Sequence, residues 1–183
     1  MGPVSLVGRI GGMPSPTLHS DSPQSRYQVR LHLGADPEAM PVLTEAADLV
    51  VFADALPDPS SPSGPGSAVS VIGFGFRRSA ARAVLEAQAD AGERVFVAVV
   101  TPLSAGGGFA VEDFLLAGAV VDALAEVGID YSSPEAAAAC AAFVSLRGAV
   151  GHLVSASEEG QRWVAAGRGA ELAALCRLDT DQA

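Results

Sequence analysis

Apolar and polar residues alternate over residues 25–34, and this period of two predicts a half-buried β-strand. Three further apolar runs have the length of a strand and cover residues 49–56, 68–73 and 94–101. The last run is rich in valine, and β-branched residues are typical of the centre of a sheet. Four strands are therefore expected in the first part of the chain.

Helices are predicted between and after these strands. One follows the third strand and runs to about Ala91, and a longer one covers residues 109–127. The apolar residues of the longer helix fall on all its sides, which indicates that neighbouring elements bury most of it. Gly118 stands between two alanines and leaves room for another element to approach closely. Strands that alternate with helices in this way predict the α/β fold class.

The last third of the chain is predicted to be helical. Ser133 is expected to cap a helix that has Pro134 at its first position. Ser155 and Glu158 have the spacing of a capping box before the helix that contains Trp163. Two or three helices are therefore expected after residue 128.

The length of 183 residues fits one domain. Residues 1–24 are rich in Pro, Ser and Gly and lack the pattern of a signal peptide, so they are expected to form a disordered lead. Residues 25–183 are expected to form a single α/β domain. Within it, residues 57–67 hold the Pro, Ser and Gly residues of a flexible loop.

The composition excludes some classes of partner. A formal net charge of −10 argues against a nucleic-acid surface, which needs clustered basic residues. Acidic residues interrupt the apolar helix at residues 109–127, so it is not expected to span a membrane. Cys140 and Cys176 are expected to be buried thiols in a reducing cytosol, which predicts a cytoplasmic protein. All eleven basic residues are Arg, whose planar fork suits phosphate, sulfonate or carboxylate groups.

Three acidic residues are candidates for a site. Asp54 lies near the end of the second predicted strand, and ligands in α/β folds collect at the carboxyl ends of strands. The alternative is that Asp54 is a turn residue. Glu112 and Asp113 fall in the first turn of the long helix, where they either stabilise the helix dipole or reach into a site as a metal ligand or base. Adjacent helical positions diverge by about 100°, so the two rarely serve one centre.

Basic and glycine-rich segments are candidates for binding an anion. The third strand leads through a Gly-x-Gly turn into a helix that begins near two arginines, which is an anion-binding geometry unless the arginines are simply solvated. The polar face of the first strand is either a solvated edge or a second anion site. The glycine run at residues 106–108 suits a loop that lies against a ligand. The residues in these segments are Arg30, Arg77, Arg78, Ser79, Gly106 and Gly107.

Several strings resemble a known family. FAVEDFLLAGAVVDAL at residues 109–124, SPEAAAACAAF from Ser133 and the tail at 155–179 resemble the C-terminal part of the 2-phosphosulfolactate phosphatase family. SRYQVRLHLG at residues 25–34 is similar to the start of its actinobacterial members. The resemblance implies a three-layer α/β/α fold with a mixed or parallel central sheet. It also implies Mg²⁺-dependent hydrolysis of a phosphate ester on a small sulfonated or carboxylated acid.

The resemblance carries over to individual positions. Asp54 matches an Asp that follows the family's second strand, and Glu112 and Asp113 match its Glu-Asp pair. These three residues are therefore expected to be catalytic and to bind Mg²⁺. Arg77 matches an Arg in a later turn, whereas Arg78 and Ser79 replace the usual Asn-Ala.

The chain also departs from the family's pattern. It contains no Asn, so the family's Asn-Gly-Thr turn is absent, and the middle section looks deleted at residues 57–67. Two hypotheses stay open. One is a phosphatase of reduced or full activity that acts on a small anionic phosphoacid. The other is an inactive homologue that binds a small anion or forms a homo-oligomer.

Overall fold

A computed structural model describes residues 23–35, 42, 47–58, 68–104, 106–107 and 109–180. Its centre is a sheet of four strands, β1 (Val29–Ala35), β2 (Leu49–Asp54), β3 (Val69–Ile72) and β4 (Val97–Pro102). The strands lie in the order β1-β4-β2-β3, and every neighbouring pair is parallel. Helices lie on both sides of the sheet. The predicted α/β class is confirmed, and the sheet is parallel rather than mixed.

Six α-helices follow in the described residues. They are α1 (Arg77–Ala91), α2 (Val111–Glu126), α3 (Pro134–Leu146), α4 (Val150–Ala156), α5 (Glu158–Ala165) and α6 (Gly169–Leu175). Short 3-10 turns at Phe74–Phe76 and Arg147–Ala149 precede α1 and α4. The helical C-terminal third is therefore confirmed.

The two predicted helix caps have different outcomes. The Ser133 side chain accepts a hydrogen bond from the Ala136 N–H at the start of α3, as predicted. The capping box at Ser155 is wrong, because Ser155 lies inside α4 and its hydroxyl donates to the His152 carbonyl. The cap of α5 is Ser157, which accepts from the Gly160 N–H.

Helix α2 occupies the middle of the domain. It packs against β2 and β4 and against α1 and α3, so eleven of its sixteen residues are buried. This burial on nearly all sides confirms the prediction from its apolar pattern. Gly118 lies where α3 crosses α2, and any side chain there would overlap the Ala139 carbonyl group.

We expect Gly118→Ala to lower the free energy of unfolding by about 1–3 kcal/mol, because the new Cβ would overlap Ala139 and lie 3.0 Å from the Phe143 Cβ. Alanine gains about 1 kcal/mol in helix propensity, so the clash must exceed that gain. Urea denaturation followed by circular dichroism measures the difference. The control is Gly148→Ala, whose Cβ would meet nothing within 4 Å. Unchanged stability of Gly118→Ala would contradict the close packing of α2 on α3.

One described segment, Pro134–Ala156, is long and apolar enough to cross a membrane by length and composition alone, with a mean hydropathy of 1.5. It consists of α3, the second 3-10 turn and α4, and its residues Ala136, Ala139 and Phe143 belong to the hydrophobic core. Only 22% of its most apolar window is buried, and a single segment of this kind is weak evidence for a membrane span.

Some predictions fall on residues outside those described. They concern residues 1–22 of the lead and residues 59–67 of the loop. Cys140 and Cys176 are free thiols of intermediate burial, rather than fully buried as predicted. Burial raises the pKa of the Cys176 thiol to about 11, which keeps it protonated and unreactive at neutral pH.

Candidate functional site

Two strand ends and one helix start meet at the carboxyl edge of the sheet. Asp54 is the last residue of β2, and the chain that leaves β4 at Pro102 returns to begin α2 at Val111. Glu112 and Asp113 therefore lie in the first turn of α2, beside the end of β2. Together with Asp54 they line a cleft of about 370 Å³. The structure brings together the three acids that the sequence predicts.

Asp113 links the start of α2 to the end of β2 through a hydrogen bond. Its Oδ1 accepts a hydrogen bond of 2.9 Å from the Ala55 N–H, just beyond β2, and the residue is only 6% exposed. Asp54 in turn accepts from the Leu56 N–H. These bonds satisfy backbone donors that the strand leaves unpaired where it ends. They also hold two carboxylates in fixed positions at the wall of the cleft.

Glu112 is the most unusual side chain of the cleft. It is 5% exposed, and within the residues that the structure describes its carboxylate has no hydrogen bond or ion pair. A buried carboxylate costs several kcal/mol unless it is paired or coordinates a metal, so such groups are rare. The start of α2 offers a favourable dipole, worth about 0.3–1 kcal/mol. Glu112 therefore lacks a positively charged partner among the described residues.

The pKa values of Asp54 and Asp113, which line the cleft with Glu112, indicate an excess of negative charge in the cleft. The pKa of Asp54 is raised to about 6, mainly by burial; the charges of Glu159, Glu112 and Asp58 contribute to this rise, and the hydrogen bond from Leu56 opposes it. Burial also raises the pKa of Asp113 well above its usual value, with added repulsion from Asp54, Glu112 and Glu159. Both carboxyl groups are thus costly to ionise, and a bound cation would relieve that cost.

We expect the protein to lose stability as the pH rises from about 4 to above 6. Asp54 has a higher pKa in the folded protein, about 6 against a usual 3.8, so between these values the folded state binds more protons than the unfolded state. The stabilisation is complete below pH 4 for this group and is lost as the pH passes 6. The loss amounts to about 1–3 kcal/mol after allowance for partial solvent screening. Urea denaturation between pH 4.5 and 7.5 measures it, and Asp54→Asn should make the profile shallower, with the remaining slope due to Asp113, whose pKa is also raised.

Two further residues of the cleft come from α5 and were not among the sequence candidates. Glu159 and Arg162 line the cleft, although they lie more than 45 residues after Glu112 in the chain. Their spacing of three residues indicates a helical ion pair, and the Arg162 Nη2 lies 2.9 Å from the Glu159 Oε2. Nothing local to the sequence indicates that this helix face returns to the carboxyl edge of the sheet.

The structure does not place the two arginines that follow the Gly-x-Gly turn in the cleft. Arg77 is buried and forms ion pairs with Asp122, Glu126 and Asp179. Asp122 lies nine positions after Asp113 on α2, which is roughly 14 Å along the helix axis. Arg77 is therefore a structural ion-pair centre, which is neither of the two roles that the sequence left open for it.

The two residues that follow Arg77 also make contacts away from the cleft. The Arg78 Nε lies 3.2 Å from Glu126 and 3.5 Å from Asp179. The Ser79 hydroxyl accepts from Arg82 on the same helix. Neither Arg78 nor Ser79 lines the acidic cleft described here.

Arg30 also lies away from the cleft. It pairs in register with Ala98 near the start of β4, whereas the acids lie at the carboxyl ends of the strands. Its guanidinium donates to the Ser25 and Tyr27 carbonyls and stacks over Phe96. Burial lowers the pKa of Arg30. The polar face of β1 is thus neither solvated at this position nor part of the cleft.

Gly106 and Gly107 lie in the loop beside the cleft. Gly107 has a φ of 68°, which favours glycine, and its N–H donates to the carbonyl of Ser104, a residue of the cleft wall. A Cβ on Gly106 would lie 3.1 Å from the Glu158 Oε1, so the loop rests against the start of α5. The loop and α5 therefore border the same opening. Gly108 lies outside the described residues.

The donor set of the cleft suits a hard cation. In the part of the chain that the structure describes, no group of three His, Cys, Asp or Glu side chains is arranged to hold a metal ion. Mg²⁺, however, is usually held by only one or two carboxylates, with water completing its coordination. Asp54 and Glu112 supply carboxylate oxygens in the cleft, and Glu112 has no partner in the described part of the chain. The chemistry of these two side chains is thus of the kind that Mg²⁺ prefers.

Comparison with known proteins found no protein similar to this chain. No family model matches the sequence, and neither a curated protein nor a solved structure gives a significant match. The fold and the cleft define an α/β protein with a cluster of acids at the carboxyl edge of a parallel sheet. Its chemistry has to be argued from that cluster.

Proposed function

We propose that this chain is a Mg²⁺-dependent phosphatase that hydrolyses a phosphate monoester of a small sulfonated or carboxylated acid. The observation that carries the proposal is the buried Glu112 carboxylate, which has no partner among the described residues and lies beside Asp54 and Asp113. The resemblance to the 2-phosphosulfolactate phosphatase family supports the substrate class. The place of the cleft supports a site as well, because ligands of α/β proteins bind at the carboxyl ends of strands.

The proposed reaction transfers a phosphoryl group to water. A water oxygen forms a new bond to phosphorus, the ester P–O bond breaks, and the leaving alcohol oxygen takes up a proton. Mg²⁺, when bound, would neutralise charge on the phosphoryl oxygens. Asp54 and Glu112 would hold the ion, and Asp113 would keep the start of α2 fixed against the end of β2 through its bond to Ala55.

The alternative is an inactive homologue that binds a small anion. The described wall of the cleft carries five carboxylates, Asp54, Asp58, Glu112, Asp113 and Glu159, against one arginine. An anion would be repelled from such a wall unless a cation came with it. The charge of the cleft therefore favours the cation-dependent hypothesis.

The test is release of inorganic phosphate from 2-phosphosulfolactate, phospholactate and phosphoglycolate, with Mg²⁺ and with excess EDTA. We expect turnover that requires Mg²⁺, and thermal unfolding at a higher temperature when Mg²⁺ is present, since a ligand of the folded state stabilises it. The absence of turnover on every phosphoacid at saturating Mg²⁺ would refute the phosphatase. Binding of sulfonate or phosphate without turnover would support the inactive homologue instead.

A further inference from the structure

Arg162 differs from the other described arginines in its position. It is the one basic residue among the described residues that line the acidic cleft. It lies on α5 one turn after Glu159, whose charge contributes to the raised pKa values of Asp54 and Asp113. Arg162 therefore faces the same space as the proposed cation ligands.

The present contacts of Arg162 are easily exchanged. Its Nη2 lies 2.9 Å from the Glu159 Oε2 and 3.5 Å from the Glu158 Oε1, and its side chain is 45% exposed. Exposed pairs of this spacing contribute only about 0.3–0.5 kcal/mol. Arg77 contrasts with it, because its guanidinium is buried and pairs with three carboxylates. Arg168 is also engaged, since it binds both oxygens of Glu171 and stacks over Trp163.

We propose that Arg162 binds the phosphoryl oxygens of the substrate at the wall of the cleft that α5 forms. The inference rests on the proposed function, because it assumes an anion that enters with a cation. A guanidinium that leaves two weak helical pairs for a phosphate dianion gains two parallel charge-assisted hydrogen bonds. Helix α5 thus supplies the anion-binding arginine, a role that was predicted from the sequence for Arg30, Arg77 and Arg78.

The geometry of the opening fits this role. Gly106 lies against the Glu158 carboxylate, so the loop after β4 and the first turn of α5 adjoin each other, and residues of both elements line the cleft. Arg162 follows that turn on the same helix. A phosphate held between Asp54, Glu112 and their cation would meet Arg162 from α5.

The experiment measures binding in two separate titrations of the full chain by calorimetry. The first uses Mg²⁺ alone, and the second uses inorganic phosphate at saturating Mg²⁺. The variants are Arg162→Gln and Arg162→Lys, with Arg94→Gln as a control of equal charge change at an exposed position outside the cleft. Fluorescence of Trp163, the single tryptophan and a neighbour of Arg162 in the chain, gives a second readout. Circular dichroism checks that each variant is folded.

We expect Arg162→Gln to weaken phosphate binding about 10- to 100-fold and to leave Mg²⁺ binding intact, as for loss of a hydrogen-bonded charge. Arg162→Lys should fall between, because it keeps the charge and loses the fork. The inference would be overturned if Arg162→Gln bound phosphate as tightly as the wild type, or if the wild type bound no phosphate in the presence of Mg²⁺. In either case the Mg²⁺ titration would still test the cation site. Phosphate binding that needs Arg162 but no Mg²⁺ would support the inference and refute the cation-dependent phosphatase.

Discussion

Asp54→Asn is expected to reduce Mg²⁺-dependent phosphate release by roughly 10²–10³-fold, the range found when a charge-stabilising group is removed from an active site. The amide can still accept the hydrogen bond from the Leu56 N–H, so the strand end keeps its geometry. It cannot supply the anionic oxygen that a hard cation needs. The loss should therefore appear in kcat and in Mg²⁺ affinity.

The same substitution is expected to stabilise the protein at pH 7.5. The raised pKa of Asp54, about 6, means that the folded state holds this carboxylate at a cost, and the neutral amide removes it. The free energy of unfolding should rise by about 1–3 kcal/mol in the absence of Mg²⁺. A gain in stability joined to a loss of activity is the signature of a functional residue.

The matched control is Asp90→Asn, an exposed position near the end of α1. It should change neither activity nor unfolding. Phosphate release that survives Asp54→Asn would remove Asp54 from the site. A lower free energy of unfolding for Asp54→Asn would show instead that the carboxylate is structural.

Arg77→Met is the second substitution with a large expected effect, and it should lower the free energy of unfolding by about 3–5 kcal/mol. The Arg77 side chain is 6% exposed and lies 2.7 Å from Asp122, 3.1 Å from Glu126 and 2.8 Å from Asp179. Its removal leaves these carboxylates close together without their common cation. Methionine keeps an apolar stem of similar length but removes the contact of the guanidinium with the Phe143 ring, so the loss reports the ion pairs together with that contact.

Urea denaturation of Arg77→Met and of Arg78→Met separates the buried from the exposed arginine. Arg78 pairs with Glu126 and Asp179 but is 41% exposed, so its loss should stay below about 1 kcal/mol. Similar losses in the two variants would contradict the view that burial makes Arg77 the ion-pair centre.

The sequence predicted the fold class because the evidence for it is local. The alternation at residues 25–34 and the apolar runs that follow correspond to β1, β2, β3 and β4, although each strand is shorter than predicted. The apolar surface of α2 on all sides indicated burial, and Gly118 is indeed where α3 crosses. The apolar patterns that indicate these strands and this helix involve residues close together in the sequence.

The composition of the site could be predicted only in part. Asp54, Glu112 and Asp113 meet because strand ends and helix starts share an edge, which is a property of the fold class. The partners of Arg77 lie 45, 49 and 102 residues away, and no local pattern indicates them. Glu159 and Arg162 were missed for the same reason, because the path of α5 is fixed by packing alone.

The order of the strands has a consequence for how the chain folds. Strands β1 and β2 have no hydrogen bonds to each other, because β4 lies between them, and Val29 pairs with Val97. Strand β4, one of the two inner strands of the sheet, is thus the last of the four to be synthesised. Until residue 102 has left the ribosome, the earlier strands keep open edges that can pair with other chains, so the sheet is most vulnerable to aggregation during that interval.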